Sequence, residues 1–200
     1  MKAIVINAGP KRRDYNAKLA KSALGGVESV GAEVEYVDLY RYDLHGCMNC
    51  TVCKNEDKVG KCYWKDDLSP LIERILDCDC LLISVPIFFT EPTSHFRALV
   101  ERLIYCIVSY KTGNTFKGRI NVGLFYTLNY SADYFEKSVR PHLKSSEDLF
   151  GMFNGDVEIR SFRTITNRES SQAGEELEGR KKEFERDSDK VFEIAAHLCS

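Results

Sequence analysis

Short apolar runs alternate with longer amphipathic stretches along most of this chain, and that alternation restricts its fold more than any other feature. The apolar runs predict five strands, at Lys2–Asn7, Glu33–Leu39, Cys80–Val85, Ile120–Thr127 and Val157–Ile165. Strands that alternate with helices favour a parallel sheet covered by helices on both faces. A length of 200 residues suits one such unit. We therefore predict a single-domain α/β protein, residues 1–200, with a doubly wound five-stranded parallel sheet.

Helical spacing of apolar residues predicts five helices between and after these strands. They are expected at residues 16–30, 66–76, 93–110, 130–150 and 179–198. Proline lacks a backbone N–H, so we expect Pro86 to end the third strand and Pro141 to break or kink the fourth helix. The polar stretch at 167–179 is predicted to be a mobile loop.

Ligands of doubly wound sheets bind at the carboxyl ends of the strands, where the strand order reverses. Three loops should meet there, at 8–16, 86–91 and 127–131. The first loop joins a strand to a helix N-terminus, whose free N–H groups and partial positive charge attract anions. Its candidate phosphate-binding residues are Gly9, Pro10, Lys11, Arg12, Arg13 and Asn16. The alternative is a solvated basic turn, and the Walker A and dinucleotide glycine patterns are both absent.

The second and third loops offer groups that suit a flat heterocycle. Two aromatic residues follow a buried strand in the second loop, whose candidate residues are Pro86, Ile87, Phe88, Phe89 and Thr90. Aromatic side chains in that position can cover or stack on a ring, or they can simply pack into the core. In the third loop, Thr127 and Asn129 could form hydrogen bonds with the polar rim of the same ring.

Four cysteines with the spacing C-x2-C-x2-C-x8-C occupy a long loop, at about 40–65, between the second strand and the second helix. They are Cys47, Cys50, Cys53 and Cys62. Three thiols at i, i+3 and i+6 can converge on one point, which suits a [4Fe–4S] cluster. The alternatives are remnant or redox-active thiols without a metal, and a structural zinc site. The other cysteines lie in apolar segments or at the tail, and we expect them to pack in the core: Cys78, Cys80, Cys106 and Cys199.

Composition excludes some partners. The formal net charge is −2, which favours neither nucleic acid nor an anionic membrane as a partner. No apolar stretch approaches the roughly 18 residues of a membrane span, and the N-terminus does not read as a signal peptide. We therefore expect a cytoplasmic protein whose thiols stay reduced.

Several motifs together resemble the NAD(P)H-dependent FMN reductase-like branch of the flavodoxin superfamily, and within it the iron–sulfur flavoproteins. The family phosphate loop, Gly-Ser-Pro-Arg followed by Asn-Thr, is matched by 8–11 and 15–16. Its second flavin loop, Ser-Pro-Val-Tyr-Phe-Gly followed by Ala-Leu-Ile-Asp-Arg, is matched by 85–90 and 98–102. Its Gly-Lys-Cys and Asp-Asp segment is matched by 60–67. Thr90 stands where the family has a glycine.

The resemblance implies a flavodoxin-like sheet of strand order 2-1-3-4-5 with FMN at the strand ends. The FMN phosphate would lie at residues 9–16 and the ring near 86–90. It further implies an oxidoreductase that takes reducing equivalents from NAD(P)H and passes them to an unidentified acceptor, through the cluster if one is present. The flavin would perform the chemistry, so no residue is assigned as general acid or base. The family also implies a homodimer or homotetramer. The alternatives are a non-enzymatic electron carrier and a zinc-binding or redox-sensing module.

Overall fold

The computed structural model describes residues 1–164 and 175–200. Its five long strands are β1 Lys2–Asn7, β2 Glu33–Asp38, β3 Cys80–Phe88, β4 Ile120–Leu128 and β5 Asn154–Arg163. Its five long helices are α1 Tyr15–Ser29, α2 Leu68–Leu76, α3 Ser94–Ile107, α4 Arg140–Leu149 and α5 Glu175–Leu198. Shorter elements are the 3-10 turns Leu39–Arg41, Val52–Lys54 and Phe150–Phe153, the helical turn Ala132–Tyr134, the π-helix Phe135–Val139, and the two-residue strands Glu91–Pro92, Val108–Ser109 and Gly113–Asn114.

The five long strands form one parallel sheet in the order β2-β1-β3-β4-β5, so the predicted topology is confirmed. The central strand β3 pairs with β1 up to Asn7 and Ser84, and with β4 up to Pro86 and Thr127. The carboxyl ends of β1, β3 and β4 therefore lie side by side. This edge of the sheet is where the sequence predicts a ligand.

Helices cover both faces of the sheet, as the alternating pattern predicts. One apolar core packs α2, α3 and α4 against the sheet, and the other packs α1 and α5 against its opposite face. Helix α5 approaches α1 closely at Gly26, where an added Cβ would lie 2.3 Å from the backbone oxygen of Phe192. The four cysteines expected in the core are all buried: Cys78, Cys80, Cys106 and Cys199.

Strand β3 runs three residues beyond the predicted end, because Pro86 does not stop it. Beyond Ser84 the strand no longer pairs with β1, so at Pro86 its backbone forms no hydrogen bonds with that neighbouring strand. A proline is tolerated in a strand where its missing N–H has no partner to satisfy. The strand then turns back on itself, and Ile87 and Phe88 pair antiparallel with Pro92 and Glu91.

Pro141 interrupts the fourth predicted helix, as expected. The chain forms a π-helix at Phe135–Val139 and then α4, in which Pro141 occupies the first turn. A proline there is harmless because first-turn N–H groups have no intrahelical partner. The predicted mobile loop at 167–179 lies outside the described residues, apart from 175–179, which begin α5. Among the described residues, none of the helices combines the length and apolar content that a membrane span needs.

Candidate functional site

A buried polar network joins the carboxyl ends of three strands to the start of α1. The side-chain amide of Asn16 donates to Asn7 Oδ1 at 2.8 Å and to the Ser84 carbonyl at 3.1 Å. Its Oδ1 accepts from Ser84 Oγ at 2.8 Å and from Thr127 Oγ1 at 3.0 Å. All four side chains are buried. Hydrogen bonds inside a protein that satisfy every partner rigidify the structure around them, so these bonds hold the strand ends in one arrangement.

Asn7 also shapes the first loop. Its Oδ1 accepts from the Gly9 N–H at 3.1 Å, and its Nδ2 donates to the Lys11 carbonyl at 3.0 Å and to Asp38 Oδ1 at 3.0 Å. An added Cβ on Gly9 would lie 3.0 Å from Asn16 Nδ2 and 3.3 Å from a Pro86 ring carbon. The first and second predicted loops are therefore in contact at Gly9.

The first loop leads into α1 with the electrostatics of an anion site. Asp14 caps the helix by accepting the Ala17 N–H at 2.9 Å. The N–H groups of Tyr15 and Asn16 are first-turn donors, which no helical carbonyl can accept. Pro10, Lys11, Arg12 and Arg13 are exposed, and Arg12 Nε lies 3.8 Å from Asp38. These backbone donors and cations fit the phosphate of FMN.

The remaining predicted residues divide between scaffold and surface. The side chains of Asn16 and Thr127 are used within the buried network, while Asn129 is exposed at the end of β4. Sequence reasoning missed Thr93, whose hydroxyl donates to the Ala8 carbonyl at 2.8 Å and caps α3. It also missed Asn7 and Ser84 as site residues. The available signal was a polar residue at or near the end of each apolar run.

The second loop forms a tight hairpin that carries two exposed aromatic side chains. Phe88 is 50% exposed and Phe89 is 94% exposed, so the alternative of core packing is wrong for both. Pro86 and Ile87 below them are buried. Phe89 and Thr90 have φ values of +50° and +70°, which are strained for residues with a side chain. Strain of this kind persists only where the surroundings enforce it.

All four loop cysteines line one cavity, which the C-terminal half of α3 also lines. Its walls include Cys47, Cys50, Cys53, Cys62, Arg102 and Cys106. Burial raises the pKa of Cys53 and raises that of Cys106 to about 12. Among residues 1–164 and 175–200, no three His, Cys, Asp or Glu side chains are grouped closely enough to hold a single metal ion. The cavity is small, with a volume of about 20 Å³.

Arg102 is the cation of this cavity. Its side chain is 1% exposed and forms a two-pronged ion pair with Asp66, whose side chain is 4% exposed. Burial pushes the pKa of Asp66 upward, but the bonds and charge of Arg102 outweigh it and the pKa lies below its usual value. Arg102 Nη2 also donates to Cys62 Sγ at 3.3 Å. Its buried Nε has no hydrogen-bond partner among the described residues. An unused buried donor beside four thiols fits an anionic group such as a thiolate-bound cluster.

Lys54 connects the cysteine loop to the C-terminal end of α3. Its Nζ donates to the Val108 carbonyl at 2.6 Å and to the Tyr105 carbonyl, and lies 3.5 Å from the Tyr105 ring centre. A cation is favourable at a helix C-terminus, where unpaired carbonyls carry partial negative charge. Between Cys47 and Cys53 the backbone is strained, with φ of +49° at Asn49 and +57° at Thr51.

Comparison with known structures supports the fold. An NAD(P)H:quinone oxidoreductase from Methanothermobacter marburgensis superposes with a TM-score of 0.75 at 14% identity, over 99% of this chain and 96% of that one. An FMN-dependent NADH-azoreductase from Bacillus anthracis, in complex with FMN, superposes with a TM-score of 0.67 at 16% identity, over all of both chains. At these identities the likeness establishes a shared fold and nothing finer.

Sequence comparison adds closer relatives. An iron–sulfur flavoprotein of Methanocaldococcus jannaschii is 26% identical over 123 residues, which are 62% of each chain. An iron–sulfur flavoprotein of Archaeoglobus fulgidus is 28% identical over 102 residues, which are 51% of this chain and 48% of that one. The chain thus aligns with about half to three fifths of the length of these relatives. The profile of the NADPH-dependent FMN reductases matches residues 1–146, and the chain belongs to that family.

Proposed function

We propose that this protein is an FMN-dependent oxidoreductase that takes reducing equivalents from NAD(P)H and passes them to an acceptor. The observation that carries the proposal is the contact between the first and second loops at Gly9 and Pro86, beside the start of α1. That arrangement places an anion site next to the end of β3, where Phe88 and Phe89 are exposed. Family membership and the FMN named in a structural neighbour support it.

In this proposal the chain's own residues bind and orient the flavin, and FMN supplies the redox chemistry when bound. The first-turn N–H groups of α1 with Lys11, Arg12 and Arg13 would neutralise the phosphate. Asn7 and Asn16 would keep the phosphate loop in its binding shape through their buried hydrogen bonds. The hairpin with Phe88 and Phe89 would shield one side of the ring from water. Asn129 would lie at its polar rim, while the buried hydroxyl of Thr127 would hold Asn16 in place.

We further propose that Cys47, Cys50, Cys53 and Cys62 hold a [4Fe–4S] cluster that accepts electrons from the flavin site. Each cysteine of a cubane binds a different iron, so the thiols need only surround a shared space. Zinc would need its sulfurs about 2.3 Å from one ion. The four thiols line a common cavity, but among the described residues no three ligands converge on one ion. This arrangement favours the cluster over zinc. The names of the two curated relatives support the same assignment.

Anaerobic purification with FMN, iron and acid-labile sulfide measured together tests both parts. We expect about one FMN per chain and about four irons and four sulfides per chain, with steady-state oxidation of NADH or NADPH in the presence of an artificial quinone acceptor. Failure to bind FMN would refute the main proposal. Bound FMN without NAD(P)H oxidation would identify an electron carrier instead. Zinc without iron or sulfide would refute the cluster and leave the flavin proposal standing.

We also propose a cytoplasmic homodimer or homotetramer. All eight cysteines are free thiols, as a reducing compartment requires. The exposed Phe88 and Phe89 at the hairpin tip provide an apolar surface that a second copy could cover. Light scattering at micromolar concentration measures the mass directly, and a monomer of 22.8 kDa would refute the assembly.

A further inference from the structure

The donors of Arg102 are shared unequally among their acceptors. Nη1 carries two hydrogens and serves two acceptors, the His45 carbonyl at 3.2 Å and Asp66 Oδ2. Nη2 also carries two hydrogens but faces three acceptors: Cys62 Sγ at 3.3 Å, Asp66 Oδ1 at 2.9 Å and Ser69 Oγ at 2.6 Å. Sulfur is the farthest of the three. The N–H···S bond is therefore in competition with two oxygens.

Asp66 fixes the guanidinium in this position. Its Oδ1 accepts the N–H groups of Leu68 and Ser69 at 3.1 and 3.3 Å, and its Oδ2 accepts the His45 N–H at 3.2 Å. A carboxylate held by three backbone donors and paired with both prongs of an arginine has little freedom. The cysteine loop enters the site at His45, so Arg102 and Asp66 also set where that loop begins.

We propose that Arg102 is a positioning residue that raises the reduction potential of the cluster through its hydrogen bond to Cys62, and that Ser69 limits this effect by competing for the same nitrogen. The inference rests on the proposed cluster. Hydrogen bonds to ligand sulfurs stabilise the more negatively charged, reduced state of an iron–sulfur cluster. A buried donor acts strongly because no water competes with it.

The variant Arg102→Lys isolates the hydrogen bond from the charge. Lysine keeps a positive charge near Asp66, but its compact ammonium lacks the planar fork that reaches Asp66 and Cys62 together. In protein reconstituted anaerobically with FMN, iron and sulfide, we expect the cluster potential to become more negative in a spectroscopic redox titration. Iron release to a chelator should become about tenfold faster, as expected for the loss of one hydrogen bond to a charged group.

The variant Ser69→Ala should act in the opposite direction. It removes one of the three acceptors at Nη2, which leaves one hydrogen for Asp66 and one for Cys62. We expect a more positive cluster potential and slower iron release than in the wild-type protein. General loosening of the structure would not produce that result, because it would speed iron release. If Arg102→Lys does not fold, the potential of Ser69→Ala still tests the effect of the Arg102–Cys62 hydrogen bond.

Arg119→Lys is the matched control, since Arg119 is exposed, pairs with Asp156 at 2.9 Å and lies outside α3 and the cysteine loop. It should leave the potential and the iron-release rate unchanged. Potentials that do not move in Arg102→Lys and Ser69→Ala, or that move in the same direction in both, would overturn the inference while the cluster proposal stands. Wild-type protein that retains no iron and sulfide would overturn both.

Discussion

Gly9 is confined by three side chains, which makes it a sharp test of the flavin site. In Gly9→Ala the new methyl would lie 3.0 Å from Asn16 Nδ2 and 3.2 Å from Asn7 Oδ1. Both groups are held by buried hydrogen bonds, so the loop must move instead of the side chains. We expect FMN affinity to fall about tenfold, equivalent to about 1.4 kcal/mol, as measured by quenching of flavin fluorescence.

Gly151→Ala serves as the control for that substitution, because an added Cβ there meets nothing within 4 Å. Its FMN affinity should equal that of the wild type. Equal affinity in Gly9→Ala would mean that the phosphate does not contact this loop.

Glu147 is a buried carboxyl whose charge is poorly compensated. It is 3% exposed, its oxygens have no hydrogen-bond partner among the described residues, and Arg140 Nε lies 3.9 Å from its Oε2. Burial raises its pKa. Because its pKa is raised in the folded state, protonated Glu147 stabilises the fold at low pH. That stabilisation is lost as the pH rises through the raised pKa.

We therefore expect Glu147→Gln to be more stable than the wild type at pH 8, by about 1–2 kcal/mol, with the gain disappearing below pH 4. Thermal unfolding across that pH range measures it, as a rise in Tm of about 2–4 °C per kcal/mol. The exposed Glu136, replaced by glutamine, should change stability by less than about 0.5 kcal/mol. A gain that persisted undiminished at low pH would contradict the electrostatic explanation.

The hairpin after β3 carries strain that one substitution should release. Thr90 has φ of +70°, a conformation that glycine adopts without steric cost. Thr90→Gly should therefore raise the free energy of unfolding by about 0.5–1 kcal/mol, measured by urea denaturation. Thr112 lies in another exposed turn without a positive φ, so Thr112→Gly should lower stability through chain entropy. If both variants lose stability, the hairpin is not strained.

The strands and helices could be predicted because each apolar run is continuous and each helix has regular spacing. The structure departs from the prediction where contacts with residues distant in sequence determine how a strand or helix ends. Pro86 continues β3 only because β1 has already ended at Asn7, which the sequence around Pro86 does not reveal. The π-helix before Pro141 is likewise one of several ways to absorb a proline. Element types were thus predictable, while their ends and irregularities depended on the tertiary structure.

The candidate site shows the same division. Parallel topology was enough to predict that the loops at Gly9 and Pro86 meet. The hydrogen bonds of Asn7, Ser84 and Thr93 were not predicted, because polar residues near strand ends look alike whether they face a ligand or other protein groups. The contact between Arg102 and Cys62 joins residues 40 positions apart, which spacing rules within the cysteine loop do not address.

Attachment of the C-terminal helix to the rest of the molecule depends on a close approach at Gly26. An added methyl would lie 2.3 Å from the Phe192 carbonyl oxygen, which is backbone and cannot rotate away. Gly26→Ala should lower the free energy of unfolding by about 2–3 kcal/mol, although alanine is the better helix former. The adjacent Gly25 meets only the Phe192 ring at 3.5 Å, so Gly25→Ala should raise stability by up to about 1 kcal/mol.

Urea denaturation of both glycine variants checks this pair. Opposite signs at neighbouring positions would locate the effect in the packing of α5 on α1. Stabilisation by both would show that helix propensity alone decides, and that α5 can shift to accommodate the methyl.

Helix α3 contributes to both candidate sites. Thr93 at its start bonds to the first loop, Arg102 in its middle reaches Cys62, and the carbonyls near its end receive Lys54. The four-cysteine segment is thus not a portable module. A transplant of residues 40–65 into another flavodoxin-like reductase would also need Asp66, Arg102 and the C-terminal end of α3. Without them, the transferred loop would lose the contacts that hold it in place.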